Sequence, residues 1–473
     1  MKLFEPIRIN SMVLENRIVL PAMVTRLSGE DGYVNKDIRD RYLRFAKGEV
    51  GLIVLEAMAV HTAKSGPLLR ICDDQFKPGL AELARMIHDT SPSKVVPQII
   101  HFLKISRSGW RQKISDLSIE EIKQIVINYA DAAMRAQDCG FDGVELHMAH
   151  AYTLSSFLSA KNARNDAYGR TLENRMRLMS EVIVAVRKRV GASFPVGVRF
   201  DGEECIKGGY TLKDSQKIAL RMAQLGVDYI SISAGGKFED AIPKPGEPLY
   251  PYTGYSGDRC MPSADYPDGA NVYLAEGIKQ YINSNGYYTP VIATGKISTP
   301  ELAEQILESG RSDLIGMARA LLADPDWPKK VREGRWGNVI RCIYCNVCKS
   351  LDENFRRVTC TLWPKGSLQA PYSDDKIAPT WSKQDPLGVQ LYTGCTRLVW
   401  SEAKDNEGVY GYDIFRSENG GPYFRLTAVK RLGYWDTEVV GGNTYSYYVQ
   451  AYDFAGNRSE PSNKVEVTIP FPV

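Results

Sequence analysis

The feature that most constrains this chain is a repeated alternation of short apolar runs with amphipathic segments of helical length, from Arg17 to about Arg332. Near-continuous apolar runs separated by helices are typical of parallel strands buried on both faces. The predicted strands are Arg17–Val24, Gly51–Met58, Lys94–His101, Phe141–His147, Pro195–Phe200, Asp228–Ser233, Thr289–Ala293 and Asp313–Met317. The helical patterns include Lys36–Lys47, Leu80–Asp89, Ser118–Cys139, Thr171–Val190, Thr211–Leu225 and Thr299–Ser309. Eight units over roughly 330 residues favour an α/β fold, the (β/α)8 TIM barrel, over an open doubly wound sheet.

The amino-acid composition argues against several classes of partner and location. The 473 residues, 44% hydrophobic and 24% charged, suit one large and one small globular domain. A net charge of +3, without basic runs interleaved with aromatic residues, argues against a nucleic-acid partner. We find no apolar signal-peptide core and no apolar stretch of membrane-spanning length, so we expect no membrane association. Clustered thiols favour a reducing cytoplasm.

The chain changes character after the predicted barrel, which we place at residues 1–365. A linker rich in Pro, Ser, Asp and Lys covers residues 366–385. Residues 386–473 alternate apolar and polar positions with frequent turns, which predicts a small all-β immunoglobulin-like sandwich. The run TYSYYVQAYDFAGNRSEPS, with Trp400 upstream, resembles a fibronectin type III module. Another immunoglobulin-like sandwich is the alternative, and we expect a spacer or docking role.

One long insertion interrupts the barrel pattern between strand six and its helix, from Gly235 to Asn271. It is rich in Pro, Gly and Tyr, and loops of this length are usually functional or mobile. Because it follows a strand, we expect it over the C-terminal mouth, where such barrels keep their active sites. We interpret the insertion as part of a substrate lid; the alternative is a surface loop without a role at the active site.

Four cysteines crowd together near the end of the predicted barrel domain, just after its eighth strand–helix unit. They are Cys342, Cys345, Cys348 and Cys360. Zinc usually takes its cysteines as two separated CxxC pairs, whereas a cubane iron–sulfur cluster needs one thiolate per corner from a short wrapping loop. The CxxCxxC spacing, with a fourth cysteine eleven residues further on, favours a [4Fe–4S] cluster over structural zinc. Such a cluster indicates a protein that moves electrons.

Two histidines and a tyrosine follow one another at the end of the fourth predicted strand. His147 ends the strand, and His150 and Tyr152 lie in the next loop. Two imidazoles can hold a carbonyl oxygen on which negative charge develops, and a nearby phenol can deliver a proton. On spacing alone, a pair of structurally satisfied histidines is the simpler interpretation, because HxxH is common.

The surrounding segment resembles the signature of the old yellow enzyme family of FMN-dependent reductases, HxAHGYL, QFLSP, N, R, D, YGGS and ENR. The matching residues are His147, Ala149, His150, Tyr152, Phe157, Leu158, Ser159, Asn162, Arg164, Asp166, Tyr168, Gly169, Glu173, Asn174 and Arg175. The departures are Ala151 and Arg170 for glycine, Ser156 for glutamine and Ala160 for proline. The resemblance covers roughly residues 3–366 and implies that His147 and His150 hold the substrate carbonyl while Tyr152 protonates its α-carbon.

The resemblance also implies a set of FMN-binding residues. They are Pro21, Ala22, Met23, Thr25, Ala57, Gln98, Arg199, Gly295, Lys296, Ala318 and Arg319. In that family Arg199 would lie near the flavin N1/O2 edge, Gln98 near the pyrimidine and Thr25 near N5/O4. The last four follow strands seven and eight, where barrels of this type bind phosphate. Lys296 replaces a frequent glycine and could add a second cation or point to solvent.

The cysteine loop resembles the branch of the family that contains trimethylamine dehydrogenase and dienoyl-CoA reductases, in which a [4Fe–4S] cluster exchanges electrons with FMN. That branch usually continues into FAD- and NAD-binding domains, but no GxGxxG follows a strand here. Therefore either NAD(P)H docks on the FMN face or a ferredoxin or flavoprotein supplies electrons, and we favour the second. Amine dehydrogenases of the branch carry tyrosine at the position of His147, which favours alkene reduction here.

We therefore expect an FMN- and [4Fe–4S]-containing oxidoreductase that reduces the C=C bond of a small α,β-unsaturated carbonyl compound. An amine (C–N) dehydrogenase that passes electrons out through the cluster is the alternative. From another class, the chain could be a flavin-binding electron-transfer component without turnover. The substrate, its attachment to CoA and the oligomeric state, a homo-oligomer included, stay open.

Overall fold

The computed structural model describes residues 1–63, 66–103, 112–235, 257–364, 366–372 and 375–471. Its internal contacts divide the chain into two compact units. The first unit comprises Met1–Trp336, Arg341–Leu362 and Ser367–Ala370. The second comprises Gly337–Ile340, Trp363–Gly366 and Pro371–Val473.

The first unit is a closed eight-stranded parallel barrel. It is preceded by an antiparallel pair, β1 (Ile7–Ile9) and β2 (Met12–Leu14). The barrel strands are β3 (Ile18–Leu20), β4 (Leu52–Ala59), β5 (Lys94–Ile100), β6 (Val144–Met148), β7 (Val196–Asp201), β8 (Tyr229–Ser233), β9 (Val291–Ala293) and β10 (Leu314–Gly316). Neighbours in sequence pair in space, and β10 pairs with β3 to close the ring. The predicted TIM barrel is confirmed, with a strand at each predicted run; β4, β6 and β7 extend one residue beyond the predicted ends.

The barrel core begins at the β1–β2 pair. Ile9, Met12 and Leu14 pack in one buried cluster with Leu52 and Leu314, which begin β4 and β10. This hairpin therefore covers the N-terminal end of the barrel, opposite to the end where such barrels place their chemistry.

Helices follow the strands along the chain. They are α1 (Lys36–Lys47), α2 (Lys77–Thr90), α3 (Ile119–Asp138), α4 (Thr153–Leu158), α5 (Leu172–Arg175), α6 (Arg177–Val190), α7 (Leu212–Gln224), α8 (Gly257–Cys260), α9 (Val272–Ser284), α10 (Pro300–Glu308), α11 (Ala318–Ala323), α12 (Trp327–Arg332) and α13 (Val347–Glu353). Side-chain caps fix the starts of some of these helices, as where Ser118 and Glu121 form a capping box on α3. The single helix predicted over Thr171–Val190 is two helices, which meet at Met176. In the described part of the chain, no helix has the length and apolar character of a membrane span.

The insertion after β8 is described only at its two ends. Residues 236–256 lie outside the described part of the chain, so the lid stays a prediction there. The chain continues with α8 and then reaches α9 through Asn271, whose Oδ1 accepts a hydrogen bond from Arg259 Nη2 at 3.0 Å.

The second unit is built from antiparallel sheets. Its strands are β11 (Thr380–Trp381), β12 (Leu387–Tyr392), β13 (Cys395–Trp400), β14 (Ala403–Lys404), β15 (Val409–Glu418), β16 (Phe424–Val429), β17 (Gly433–Asp436), β18 (Thr444–Asp453) and β19 (Val465–Thr468). A three-stranded sheet has the order β12-β13-β17, and a four-stranded sheet has the order β16-β15-β18-β19. Alternate residues such as Leu398, Trp400, Tyr447 and Val449 form its buried core. This unit is a small all-β domain, as predicted, and its likeness to fibronectin type III stays a prediction.

Candidate active site

The C-terminal ends of the barrel strands carry polar side chains that are buried inside the mouth. In a parallel barrel these ends meet at one rim, so residues far apart in sequence become neighbours. The ladder places Gln98 of β5 opposite Glu145 of β6, and His147 of β6 opposite Arg199 of β7. Arg199 in turn lies opposite Ser231 of β8. The residues predicted for catalysis and for the flavin ring thus occupy adjacent strand ends.

An irregularity in β4 shapes one side of the mouth. Leu55 pairs with Pro97 and Met58 with Ile99, so two residues of β4, Glu56 and Ala57, face a single residue of β5. Such a bulge redirects side chains and is frequent beside active sites. It brings Ala57, one of the predicted flavin-contacting residues, to the rim next to β5.

Glu56 in this bulge holds the segment that follows β3. Its Oε2 accepts a hydrogen bond from Thr25 N at 2.5 Å, and its Oε1 accepts one from Thr25 Oγ1 at 2.9 Å. Burial raises the pKa of Glu56 to about 7, against the lowering effect of the two bonds from Thr25. The carboxyl group therefore fixes the backbone just after Pro21–Met23, where a flavin-contacting segment is predicted.

Gln98 and Glu145 form a buried polar pair between β5 and β6. Gln98 Nε2 donates a hydrogen bond to Glu145 Oε1 at 2.7 Å. Burial raises the pKa of Glu145, while the nearby charge of Arg199 opposes the rise. The bond orients the Gln98 amide in the mouth, and Glu145 is a residue that the sequence analysis did not single out.

His147 and His150 come together as an edge-to-face pair. Their ring centroids are 5.1 Å apart with an interplanar angle of 85°. Ala149 N donates a hydrogen bond to His147 Nδ1 at 3.2 Å, so in the neutral ring the proton resides on Nε2. Burial, reinforced by the charge of Arg199, lowers the pKa of His147 to about 3. Burial, His147 and Arg199 lower the pKa of His150 well below its ordinary value, so both rings are neutral near pH 7.

The backbone at His150 is held in a left-handed conformation. Its φ is 60°, and its N–H donates to Asp201 Oδ2 on β7 at 2.9 Å. Its Nε2 lies 2.7 Å from Ser233 Oγ on β8. Ala151, which departs from the family glycine, also has a positive φ of 55°. The loop therefore keeps a glycine-like course without the glycine.

Tyr152 completes the predicted catalytic group. Its ring centroid lies 5.1 Å from that of His147, at an interplanar angle of 66°. The next residue, Thr153, starts α4, and its Oγ1 lies 2.8 Å from His101 Nδ1. Thr153 N also donates to His101 O at 3.3 Å. The end of β5 thus positions the phenol beside the histidine pair.

Arg199 is buried at the centre of the rim and is joined to β8. Nη1 donates to Ser231 Oγ at 2.9 Å and Nη2 to Ser233 Oγ at 3.4 Å. Its Nε is buried without a hydrogen-bond partner among the described residues. An orphaned donor on a buried cation fits an anionic or carbonyl-bearing cofactor edge. The two serines were missed in the sequence, although they are the polar positions of an otherwise apolar strand, YISIS.

Cys260 reaches the histidine pair from the far end of the long insertion. Its Sγ lies 3.1 Å from His150 Nε2 and 4.0 Å from Ser233 Oγ. The sequence predicts that the insertion lies over the mouth, but nothing in it marks this thiol as part of the site. No periodic pattern in the insertion could have identified it.

The predicted phosphate end lies after β9 and β10. Gly295 has a φ of 111°, and a Cβ added there would lie 2.9 Å from Asn271 Cβ, so the turn requires glycine. Lys296 does not point to solvent, because its side chain is 8% exposed. Its Nζ instead donates to Ala264 O at 2.7 Å. Arg319 is buried beside Ala318 in the first turn of α11.

Asn346 joins this phosphate end to the cysteine loop. Its Oδ1 accepts a hydrogen bond from Arg319 Nη1, and its Nδ2 donates to Met261 O at 2.9 Å. Arg319 Nη1 also donates to Pro262 O at 2.7 Å. Since Asn346 lies between two of the predicted cluster ligands, the cysteine loop, the α11 arginine and the end of the insertion form one connected network.

The four predicted metal ligands lie around the start of α13, and no disulfide bond joins cysteines in the described part of the chain. Cys345 is exposed, and its Sγ lies 3.5 Å from Thr361 Oγ1, next to Cys360. Burial raises the pKa of Cys348 to about 11 and of Cys360 to about 12. Such thiols are protonated at neutral pH, and each must lose its proton in order to bind a metal.

The sequence profile of the NADH:flavin oxidoreductase / NADH oxidase family matches residues 2–338. The chain belongs to this family of flavin oxidoreductases. The buried Arg199, with its free Nε, fits the cofactor that the family implies.

Among known proteins, the chain is similar to an NADH oxidase of Thermoanaerobacter brockii, with 35% identity over 82% of this chain. It spans only 59% of that relative's length. It is also 33% identical to an NADPH dehydrogenase of a Geobacillus species over 69% of this chain and 92% of the relative. A solved 2-naphthoyl-CoA reductase shares the fold, with a TM-score of 0.68, 24% identity, and coverage of 81% of this chain and 60% of that one.

Proposed function

We propose that this oxidoreductase reduces the C=C bond of an α,β-unsaturated carbonyl compound at the mouth of its barrel. The observation that carries the proposal is the neutral His147–His150 pair, with ring centroids 5.1 Å apart and the Tyr152 ring at the same distance from His147. Neutral imidazoles donate hydrogen bonds to an oxygen without carrying a charge of their own. Such donors stabilise the negative charge that develops on a carbonyl oxygen during reduction.

We assign different roles to the residues of the rim according to their positions. FMN, when bound, supplies hydride chemistry at its N5 atom to the β-carbon of the alkene. We assign the flavin ring to Pro21, Ala22, Met23, Thr25, Ala57, Gln98 and Arg199. We assign its phosphate to the backbone and side chains of Gly295, Lys296, Ala318 and Arg319. His147 donates from Nε2 to the substrate oxygen, His150 is the second donor, and Tyr152 delivers a proton to the α-carbon.

The charges at the pair favour a neutral carbonyl substrate over a cationic amine. An ammonium group would approach the Arg199 guanidinium and find neutral imidazoles. The nearest carboxyl group, Asp201, has an oxygen 4.0 Å from His150 Nε2. Burial raises the pKa of Asp201 well above its ordinary value, which disfavours a negative charge beside the histidine pair. Amine oxidation is therefore the second hypothesis.

The four cysteines support a [4Fe–4S] cluster rather than zinc. Tetrahedral zinc with bonds of 2.3 Å would bring its sulfur atoms to about 3.8 Å from one another. No three of the four Sγ atoms lie within 4.8 Å of one another. A cubane spaces its ligands more widely than a single ion does. The cluster would accept electrons from a ferredoxin or flavoprotein, with NAD(P)H docking at the flavin as the alternative.

An anaerobic half-reaction tests the proposal. The purified protein is reduced with dithionite, freed of excess reductant and mixed with 2-cyclohexenone, while the flavin absorbance is followed. We expect prompt reoxidation by the wild type and a loss of at least a hundredfold in rate for His147→Ala with His150→Ala, since two oxyanion donors are removed. His88→Ala, on the distant α2, is the matched control and should react like the wild type.

Two outcomes contradict the proposal. The first is an unchanged reoxidation rate in the double variant with its flavin retained. The second is no reoxidation by the enone together with bleaching of the oxidised enzyme by simple amines, which would establish the amine dehydrogenase. A protein that reacts with neither but accepts electrons from a donor would be an electron-transfer component.

A further inference from the structure

The thiol of Cys260 is fixed against the catalytic histidine from both sides. It ends α8, and its Sγ lies 3.1 Å from His150 Nε2. On its N-terminal side, Arg259 O accepts a hydrogen bond from Asn271 Nδ2 at 2.8 Å. On its C-terminal side, Met261 O accepts one from Asn346 Nδ2 at 2.9 Å. The contact between thiol and imidazole is thus supported by two separate elements of the barrel.

We propose that Cys260 and His150 form a thiol–imidazole pair in the substrate pocket, at which electrophilic alkenes alkylate the oxidised enzyme. The inference rests on the proposed function in one respect, that the pocket binds activated alkenes. It does not require turnover. It assigns to the same pocket a second reaction of the same class of compound, namely covalent addition instead of reduction.

The addition balances without an external oxidant or reductant. The Cys260 S–H bond breaks as His150 Nε2 takes the proton, and the sulfur forms a bond to the β-carbon of the alkene. The π electrons of the C=C bond move to the α-carbon, which takes the proton back from the imidazolium. A base within hydrogen-bond reach of the thiol is the arrangement that activates cysteine nucleophiles.

Burial decides how selective this reaction is. It raises the pKa of Cys260, although the charge of Arg199 works in the opposite direction. The free thiol is therefore mostly protonated at neutral pH and reacts slowly with reagents in bulk solution. A reagent bound in the pocket meets the thiol and its base at high effective concentration. We expect the alkylation rate of Cys260 to saturate as the reagent concentration rises, whereas the rate of a surface thiol does not saturate.

The test uses the oxidised holoenzyme and N-ethylmaleimide, an electron-poor cyclic alkene with two carbonyls. Modification is quantified at each cysteine by peptide mass spectrometry over time. Cys260 should be alkylated with saturating kinetics and protected by N-ethylsuccinimide, which has the same carbonyls but no C=C bond. Cys395, partly exposed on β13, is the reference thiol and should react linearly without protection. Linear, unprotected or absent modification of Cys260 overturns the inference.

Two variants distinguish a role of His150 as the base for Cys260 from an effect of reagent binding in the pocket alone. His150→Gln should lower the alkylation rate of Cys260 about a hundredfold, as expected when a general base is removed, without changing that of Cys395. Flavin absorbance and the Cys395 rate verify that this variant is folded. Cys395→Ser is the matched control and should leave Cys260 alkylation unchanged. An unaltered Cys260 rate in His150→Gln would contradict the pairing.

The outcomes also distinguish this inference from the proposed function. Protected, saturable alkylation of Cys260 in an enzyme that does not reduce 2-cyclohexenone supports the pair and refutes the reductase. Enone reduction without Cys260 alkylation supports the reductase and refutes the pair.

Discussion

His147 and Arg199 lie directly opposite each other on adjacent strands of the barrel. The guanidinium adds to burial in lowering the pKa of the imidazole. One buried cation therefore keeps a neighbouring hydrogen-bond donor neutral, while its own Nε has no hydrogen-bond partner among the described residues. This relationship links the part of the site that we assign to the substrate with the part that we assign to the flavin.

Replacing this cation should change the redox behaviour of the enzyme. Arg199→Met removes a charged hydrogen bond worth about 1.5–3 kcal/mol, which corresponds to about 30–60 mV in a two-electron potential. We expect the flavin potential to fall by that amount, because a nearby positive charge favours the reduced cofactor. Spectroelectrochemical titration measures the shift. Arg85→Met, at an exposed arginine of α2, is the control, and equal potentials in both variants would refute the assignment of Arg199.

Glu56 should make stability depend on pH. Its pKa is about 7 in the folded protein against an ordinary value of 4.5. The folded state thus binds the proton more tightly, so this contribution to stability is complete below pH 4.5 and is lost as the pH rises through 7. The difference between the two pKa values corresponds to about 3 kcal/mol of unfolding free energy, at 1.36 kcal/mol per pKa unit.

Glu56→Gln isolates this contribution, because the amide has the same shape without the titration. Between pH 4.5 and 7, the wild type should lose about 3 kcal/mol of unfolding free energy relative to this variant. Denaturant unfolding at a series of pH values measures it. Glu120→Gln, at an exposed position of α3, is the matched control. If the unfolding free energies of the wild type and Glu56→Gln change in parallel with pH, Glu56 does not titrate in this range.

The proposed metal centre can be tested through Cys345, the exposed member of its predicted ligands. Cys345→Ala should abolish the broad iron–sulfur absorbance and lower the iron content, because a cubane needs four thiolates. FMN should stay bound, since none of the residues assigned to it is changed. Cys395→Ala, in the second unit, should leave iron and flavin unchanged. Full iron content in Cys345→Ala contradicts the ligand assignment, and zinc in the wild type contradicts the cluster.

Much of the barrel could be predicted because burial on both faces leaves a continuous apolar run for each strand. The residues at which the strands end could not be predicted as closely. The first strand was predicted over Arg17–Val24 but ends at Leu20. The next residue is Pro21, which has no N–H to donate to the ladder. Periodicity cannot show the break at Met176 either, because the apolar pattern of the helix continues through it.

The site could be predicted where strand ends carry unusual polar residues, as at His147 and Arg199. It could not be predicted where the contact depends on a loop. Cys260 is 110 positions from His150, and only the course of the backbone brings them together. Lys296 is a similar case, because its amino group is bound by backbone carbonyls of the insertion.

The left-handed residues of the segment after β6 have a consequence for how this sequence can evolve. Ala151 and Arg170 both stand where the old yellow enzyme pattern has glycine, and both keep a positive φ, 55° and 66°. A side chain in that conformation costs roughly 1–2 kcal/mol. With a typical reserve of about 5–15 kcal/mol, a protein tolerates only a few such replacements. At these two positions the chain therefore keeps a left-handed backbone at a cost in stability that glycine would not incur.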